Sequence, residues 1–304
     1  MDTQSKYRTL RIGTTHECNL KCFFCCSEGH KGKYSIANKS NLYNLITACN
    51  KILGISRIKY TGGEPLLFGD LFNTIKATNK DFAGIQQTVV TNGLEENDIA
   101  RLLNEMPYVE ITISVPSLYE QTFIKTQKMN KERANVSYKK MIKTLDVLIN
   151  SKKPFKVNYV VLQGINDDRK NIKEILEYSN SHFNINLRFL ELIKNNVNKV
   201  NETYISNRTE FIDMLKNIFD FNIIEVDDNS SRSQIILNNK TCTVKYICAF
   251  CDDNCNVCPP EKTSLWMTPE GFIGNCNYNE EKLTKNKIAE WDLKSIEKTI
   301  KKFM

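Results

Sequence analysis

Six times between residues 10 and 219, a short run rich in β-branched residues is followed by a helical apolar pattern. Strands are expected at 10–14, 57–61, 87–91, 109–114, 156–162 and 186–192. Helices are expected at 41–53, 71–78, 96–106, 138–150, 170–181 and 209–219. This alternation calls for βαβ units, with consecutive strands paired in parallel and helices covering the sheet. Repeated right-handed crossovers curl such a sheet into a full or partial barrel. Six units fall short of a closed eight-stranded barrel, so the expected fold is α/β, a partial (β/α)6 TIM-type barrel.

After about residue 225 the alternation stops. The polar stretch DDNSSRS (227–233) reads as a linker. The remainder is cysteine-rich, with a hairpin expected from 265–267 through a turn at 269–271 to 272–275, and a basic terminal helix from Ser295. The expected domains are therefore a core over 1–225 and a small C-terminal cysteine-rich domain over 226–304. No apolar run reaches membrane-spanning length, and the opening MDTQSKYRTL lacks an apolar signal region, so a cytoplasmic protein is expected. The net charge of +7 is spread along the chain, as on a solvated surface. It calls for no nucleic acid and is compatible with an anionic small substrate.

Cysteine is the residue whose placement carries chemistry. Of 11 cysteines, four fall at 18, 22, 25 and 26, Cys49 stands alone, and six lie between 242 and 276. An odd count without a signal region argues against disulfides, and clustered cysteines in a reducing compartment are more often metal ligands. Cys18, Cys22 and Cys25 follow the first strand in ECNLKCFFC, at the strand end where a barrel carries its active site. Three thiolates at this spacing can wrap one face of a four-iron cluster and leave one iron open; a zinc knuckle is the competing reading. After the second strand comes Tyr60–Thr61–Gly62–Gly63–Glu64–Pro65–Leu66. Paired glycines let a ligand approach the backbone, Glu64 offers a carboxylate to an ammonium, and Pro65 stiffens the exit.

Together the cysteine triad and the glycine motif resemble the radical S-adenosylmethionine (SAM) superfamily. The segments LRIGTTHECNLKCFFC, KYTGGEPLLFGDL, VVTNG, ITISVPS, FKVNYVVLQGINDD and LRFLELI are similar, in order and spacing, to the GTP cyclases of molybdenum-cofactor biosynthesis (MoaA-type). The resemblance implies a [4Fe-4S] cluster on Cys18, Cys22 and Cys25, with SAM chelating the open iron. It further implies one-electron cleavage of SAM to methionine and a 5′-deoxyadenosyl radical, fed by a reductant such as flavodoxin or ferredoxin. Phe24, Gly62, Gly63, Glu64, Pro65, Asn92 and Ser114 would line SAM. Arg11, Lys59 and Lys156 match positions of basic groups on the nucleotide, with Lys59 standing where the cyclases carry arginine, so charge is kept without the bidentate fork. Each has a plainer alternative: a solvated strand lysine for Lys59 and Lys156, a helix cap for Ser114. Arg188, inside the sixth strand, needs a partner. Glu191 is three residues on and faces the other way, which leaves Arg188 as a candidate substrate or ribose contact.

Cys248, Cys251, Cys255 and Cys258 form C-x2-C-x3-C-x2-C, followed by Cys276. This density indicates metal, and zinc is the structural alternative. The resemblance favours a second [4Fe-4S] cluster, of the auxiliary (SPASM/twitch-like) kind, on Cys255, Cys258 and Cys276, with Cys248 or Cys251 as a fourth ligand. The chain departs from the cyclases in the same region. An Arg-x-Arg run is replaced by PPEKTSLWMTPEG, the paired terminal glycines by KKFM, and a threonine by Val90. Each lost charge-assisted bond removes roughly 1.5–3 kcal/mol from GTP binding. The expected function is a radical SAM enzyme acting on a small molecule, nucleotide or peptide other than GTP. The GTP 3′,8-cyclase is the alternative, and a zinc-binding non-enzymatic module the third reading.

Overall fold

In the computed structural model, residues 8–25, 37–193, 204–227, 234–239, 242–249, 264–276 and 286–303 are described. The expected alternation is present. Strands β1 (Thr9–Gly13), β2 (Arg57–Thr61), β3 (Gln86–Thr91), β4 (Glu110–Ser114), β5 (Phe155–Val161) and β6 (Ile185–Glu191) pair in parallel, each with the next. Helices α1 (Lys39–Leu53), α2 (Leu71–Asp81), α3 (Glu96–Glu105), α4 (Glu120–Lys125), α5 (Lys131–Asn150) and α6 (Arg169–Asn180) form the crossovers, and α7 (Arg208–Phe219) follows β6.

Two helical features differ from expectation. Helix α5 begins at Lys131 rather than 138, because Asn130 caps it by accepting from Arg133 N at 2.9 Å. Its first turns carry the charges of KERAN, which dilute the apolar period that marks a helix in sequence. Helix α4 is only six residues long, too short for its periodicity to be read.

Side-chain caps also fix the starts of several other helices. Asn38 caps α1, Asp168 caps α6 and Asn207 caps α7. The QGINDD stretch is thereby explained as a turn. Asp168 starts α6, and Asp167 Oδ1 accepts from Gly164 N at 2.8 Å. Fully buried Asn166 accepts from Leu162 N at 2.7 Å and donates to the carbonyls of Pro116 (2.8 Å) and Val160 (2.9 Å).

The residues after α7 join the same sheet at both of its flanks. Strands β7 (Asn222–Asp227), β8 (Gln234–Asn238) and β9 (Thr243–Ile247) form an antiparallel ribbon whose last member pairs in parallel with β6. On the far side β10 (Ser264–Met267) pairs in parallel with β1, and the expected hairpin partner β11 (Ile273–Gly274) closes that edge. The strand order is β11-β10-β1-β2-β3-β4-β5-β6-β9-β8-β7, so among the described residues the sheet is open, as expected from six units. The terminal helix α8 (Leu293–Ile300), capped by Asp292, packs against α1. The expected linker at 227–233 lies almost wholly outside the described residues.

Alternation along the strands divides the sheet into two unlike faces. Leu10, Ile12, Ile58, Tyr60, Val89, Ile111, Ile113, Val157, Tyr159, Leu187 and Phe189 are all buried in the apolar core shared with the helices. The intervening residues form the inner face, and they are largely polar: Arg11, Lys59, Thr88, Glu110, Thr112, Lys156, Asn158 and Arg188. A closed, side-chain-filled barrel would carry branched apolar residues there; this face is built to meet something polar.

Candidate active site

The loop that carries the three cysteines leaves the carboxyl end of β1 and is stitched to the end of β2 by backbone hydrogen bonds. Thr14 N donates to Thr61 O (2.9 Å), Gly63 N to Thr15 O (2.7 Å) and Glu64 N to Glu17 O (2.7 Å). This contact explains both glycines. A Cβ on Gly62 would lie 2.5 Å from Thr15 O, and one on Gly63 only 2.1 Å from Glu17 O. Gly62 also has φ of +127°, a conformation that side-chain-bearing residues rarely adopt. The atoms crowding the pair are thus the chain's own backbone, where the sequence pattern pointed to a ligand.

Glu64 is 1% exposed, and its carboxylate ties the end of β2 to the end of β3. Its Oε1 accepts from Thr91 Oγ1 (2.8 Å) and Leu66 N (3.1 Å), and its Oε2 from Asn92 N (2.7 Å). Burial pushes its carboxyl up to about 7, and these three donors oppose the shift. Asn92, from the Thr-Asn-Gly at the end of β3, turns its side-chain amide to the cysteine loop. It donates to Asn19 Oδ1 at 2.7 Å and to Cys18 Sγ at 3.7 Å. The structure therefore brings Cys18, Gly62, Gly63, Glu64 and Asn92 into one network. Pro65 opens the buried 3-10 turn Pro65–Leu67 directly after Glu64.

Cys22 is held from the opposite side, by a residue that sequence reading missed. It forms an isolated antiparallel bridge with Gln127, whose Nε2 lies 3.3 Å from Cys22 Sγ. Gln127 sits between α4 and α5 in a stretch without any motif, so nothing in the sequence marks it. Phe23 N donates to Thr126 O (3.0 Å) and Lys128 N to Lys21 O (2.7 Å), which fastens the loop further. Phe24 lies edge-on to Phe23 (5.7 Å between ring centroids), and Phe23 packs on Tyr204.

The donor set fits a thiolate-bound cluster. Amide groups are aimed at two of the sulfurs, which is what ligating thiolates accept. In the metal-free chain, burial pushes the Cys18 thiol up to about 11 and the Cys22 thiol up to about 12. Metal must then displace two protons to bind them. Among the described residues no three His, Cys, Asp or Glu side chains are grouped tightly enough for one metal ion.

A second missed contact ties this loop to the C-terminal hairpin. His16 Nε2 meets Glu270 Oε1 in the turn between β10 and β11. Burial works against the Glu270 charge, but hydrogen bonds from His16 and Thr268 outweigh it and hold the carboxyl down to about 2. The same turn packs on β1, with Pro269 Cδ 3.0 Å from where a Gly13 Cβ would stand.

The basic candidates all lie on the inner face, and each of them is already engaged by another group. Arg11 is 8% exposed and stacks over Trp266 at 4.7 Å, its register neighbour on β10. Lys156 pairs with Glu110, which also accepts from Thr88 Oγ1 at 3.3 Å. Lys59 sits between Arg11 and Thr88 in register. Arg188 stands between Asn158 and Lys245, and Glu191, on the other face, forms an ion pair with Arg208 at 2.6 Å. Ser114 ends β4 in register with Asn158 and precedes α4 by several residues, so it is not that helix's cap.

Of the auxiliary cysteines, Cys248 follows β9 and Cys276 follows β11, on the two opposite flanks of the sheet. Cys251, Cys255 and Cys258 lie outside the described residues. A shallow groove between α1 and α2, lined by Tyr43, Asn73, Lys76 and Asp81, is on the helical side, away from this chemistry.

Comparison with known proteins bears directly on the site. A family profile described as the Radical SAM superfamily matches residues 12–178. A GTP 3′,8-cyclase of Clostridium acetobutylicum is 28% identical over 284 residues, which is 90% of this chain and 82% of that protein. One from Aquifex aeolicus is 30% identical over 225 residues, 70% of this chain and 66% of that protein. Among solved structures, Streptococcus suis SuiB bound to S-adenosylmethionine superposes with a TM-score of 0.63 at 14% identity, over 90% of this chain and 61% of that one. A radical SAM methyltransferase from Sphaerobacter thermophilus gives 0.56 at 16% identity, over 70% of this chain and 62% of that one. This chain therefore spans about three fifths of the length of these solved structures. At such identity they speak to the fold alone.

Proposed function

This chain belongs to the radical SAM superfamily, and from that premise we propose that it generates a 5′-deoxyadenosyl radical to take a hydrogen atom from a small molecule, nucleotide or peptide other than GTP. The superfamily makes it an enzyme and implies a [4Fe-4S] cluster and SAM. The observation that carries the reading is the Cys18–Asn92–Glu64 network, which joins the three-cysteine loop to the carboxyl ends of β2 and β3. Chemistry supplied by a bound cluster and SAM is one-electron cleavage of a carbon–sulfur bond, giving methionine and the adenosyl radical.

The chain's own residues bind, orient and exclude water. Cys18, Cys22 and Cys25 are the cluster ligands, and the amides of Asn92 and Gln127 orient two of them. The buried Glu64 supplies the negative end for the methionine ammonium. Phe24, Gly62, Gly63, Pro65, Asn92 and Ser114 complete the SAM site. A flavodoxin- or ferredoxin-type donor provides the electron, and an auxiliary [4Fe-4S] cluster on Cys255, Cys258 and Cys276, with Cys248 or Cys251, stands near the substrate.

The alternative, GTP 3′,8-cyclase, is favoured by relatives of that name matching 90% of the chain. Two observations weigh against it. No arginine stands in PPEKTSLWMTPEG, and the basic side chains kept on the inner face are partly engaged, Arg11 with Trp266 and Lys156 with Glu110. Anaerobically reconstituted protein given dithionite, SAM and GTP tests both readings. The proposal expects 5′-deoxyadenosine without a cyclised GTP product; formation of that product would establish the cyclase, and absence of deoxyadenosine would end both.

A further inference from the structure

We infer that Glu270, in the turn of the C-terminal hairpin, is a positioning residue for the first cluster, acting through His16 to fix where Cys18 stands. The inference rests on the proposed radical SAM reading for the cluster, and it adds a residue from outside the matched stretch 12–178. It makes the β10–β11 hairpin part of the cluster site.

The approach to Cys18 is held from two sides. On one side its backbone is bonded to the end of β2. Thr14 Oγ1 donates to Thr61 O (3.1 Å), while Thr15 O and Glu17 O accept from Gly63 N and Glu64 N (2.7 Å each). Glu17 N turns back to Thr15 Oγ1 at 3.0 Å. The side chain of His16, between these two residues, goes to the other side and meets Glu270. The pair is sheltered, with the His16 side chain 5% exposed and that of Glu270 31%. Glu270 is held ionised by its hydrogen bonds from His16 and Thr268. An ionised carboxylate can only accept, so Nε2 of His16 carries the proton of this bond.

Glu270 is itself anchored. Strand β10 runs parallel to β1 with Met267 opposite Ile12, so the turn after Met267 stands beside the carboxyl end of β1. Gly271 N donates to Thr268 O (2.9 Å), Thr268 N to Phe272 O (3.0 Å), and Ile288 N to Gly271 O (2.9 Å). A Cβ on Gly13 would lie 3.0 Å from Pro269 Cδ and 3.1 Å from Met267 O, so the turn packs on the last residue of the strand. A fixed carboxylate at one end and a cysteine two residues from the other leave His16 as the tie between hairpin and cluster loop. Cys22 is held separately, by Gln127 from between α4 and α5. Loss of Glu270 therefore loosens one end of the triad and spares the other. That asymmetry separates positioning from general stabilisation.

The test reads the full chain both metal-free and reconstituted. In metal-free protein, Cys18 and Cys22 are labelled with iodoacetamide and followed by mass spectrometry, with fully buried Cys49 reporting global opening. Glu270→Ala should speed labelling of Cys18 roughly tenfold, the loss of one charge-assisted bond, with Cys22 and Cys49 near their parent rates. Glu270→Gln keeps an acceptor for His16 Nε2 and should restore most of the slow rate. In reconstituted protein, Glu270→Ala should shift the midpoint potential of the cluster. His16→Ala should shift it equally, and the double variant no further. Parent-rate labelling of Cys18, matching acceleration at Cys49, an unshifted potential, or additive shifts in the double variant each overturn the inference. If Glu270→Ala does not fold, Glu270→Asp, which draws the carboxylate back by one methylene, is judged by the same outcomes. A parent protein that forms no cluster would sink the radical SAM reading, while labelling of the metal-free chain still decides this one.

Discussion

Replacing Gly63 by alanine adds one methyl group, and the structure says where it must go. The new Cβ would stand 2.1 Å from Glu17 O and 2.6 Å from Glu17 C, both backbone atoms that no side-chain rotation can move aside. The loop must retreat by about 1 Å to restore ordinary van der Waals contact. Two bonds lie in its path, Gly63 N to Thr15 O and Glu64 N to Glu17 O, each 2.7 Å long. Losing them costs about 0.5–1.5 kcal/mol apiece, and overpacking adds about 1–3 kcal/mol. The sum, about 2–6 kcal/mol, is comparable with the roughly 5–15 kcal/mol that holds a typical domain together. Because Glu17 immediately precedes Cys18, the same retreat displaces a cluster ligand. Urea unfolding of metal-free protein measures the first effect, and absorbance after reconstitution the second. Gly69→Ala and Gly84→Ala are the controls, since a Cβ at either meets nothing within 4 Å. A Gly63→Ala protein that unfolds within about 0.5 kcal/mol of the parent, the scatter of ordinary surface substitutions, would refute the packing argument.

Three further outcomes are expected. Glu64 keeps its proton up to about pH 7 when folded, whereas the unfolded carboxyl releases it near 4.5. The folded state therefore binds more protons across that window, and stability falls as pH rises through it, by about 3 kcal/mol for this group. Glu64→Gln should flatten that slope in metal-free urea titrations, and an identical slope would disprove the assignment. Cluster assembly should weaken steeply as pH is lowered, because Cys18 and Cys22 must lose protons held at about 11 and 12; proton release during loading, followed with an indicator dye, checks this. Gln127→Leu should leave the fold intact, judged by circular dichroism, yet shift the reduction potential of the cluster by removing a donor from Cys22, and an unshifted potential would count against that role.

The α/β alternation, the six parallel strand–helix units, the open sheet and the hairpin near the C-terminus were legible in the sequence. Each depends on local information: strand and helix periods, and turn residues a few positions apart. The structure decided what depends on register. It placed Arg11 against Trp266, Lys156 against Glu110, and Arg188 beside Lys245, pairs separated by tens to hundreds of residues that only strand order brings together. It also supplied Gln127 and Glu270, whose contacts with Cys22 and His16 come from segments with no motif. The glycine pair shows the division most plainly. Its chemistry could be named from four letters, but the need for glycine came from a backbone oxygen 2.1 Å away, on a loop that pairing of β1 with β2 sets against it.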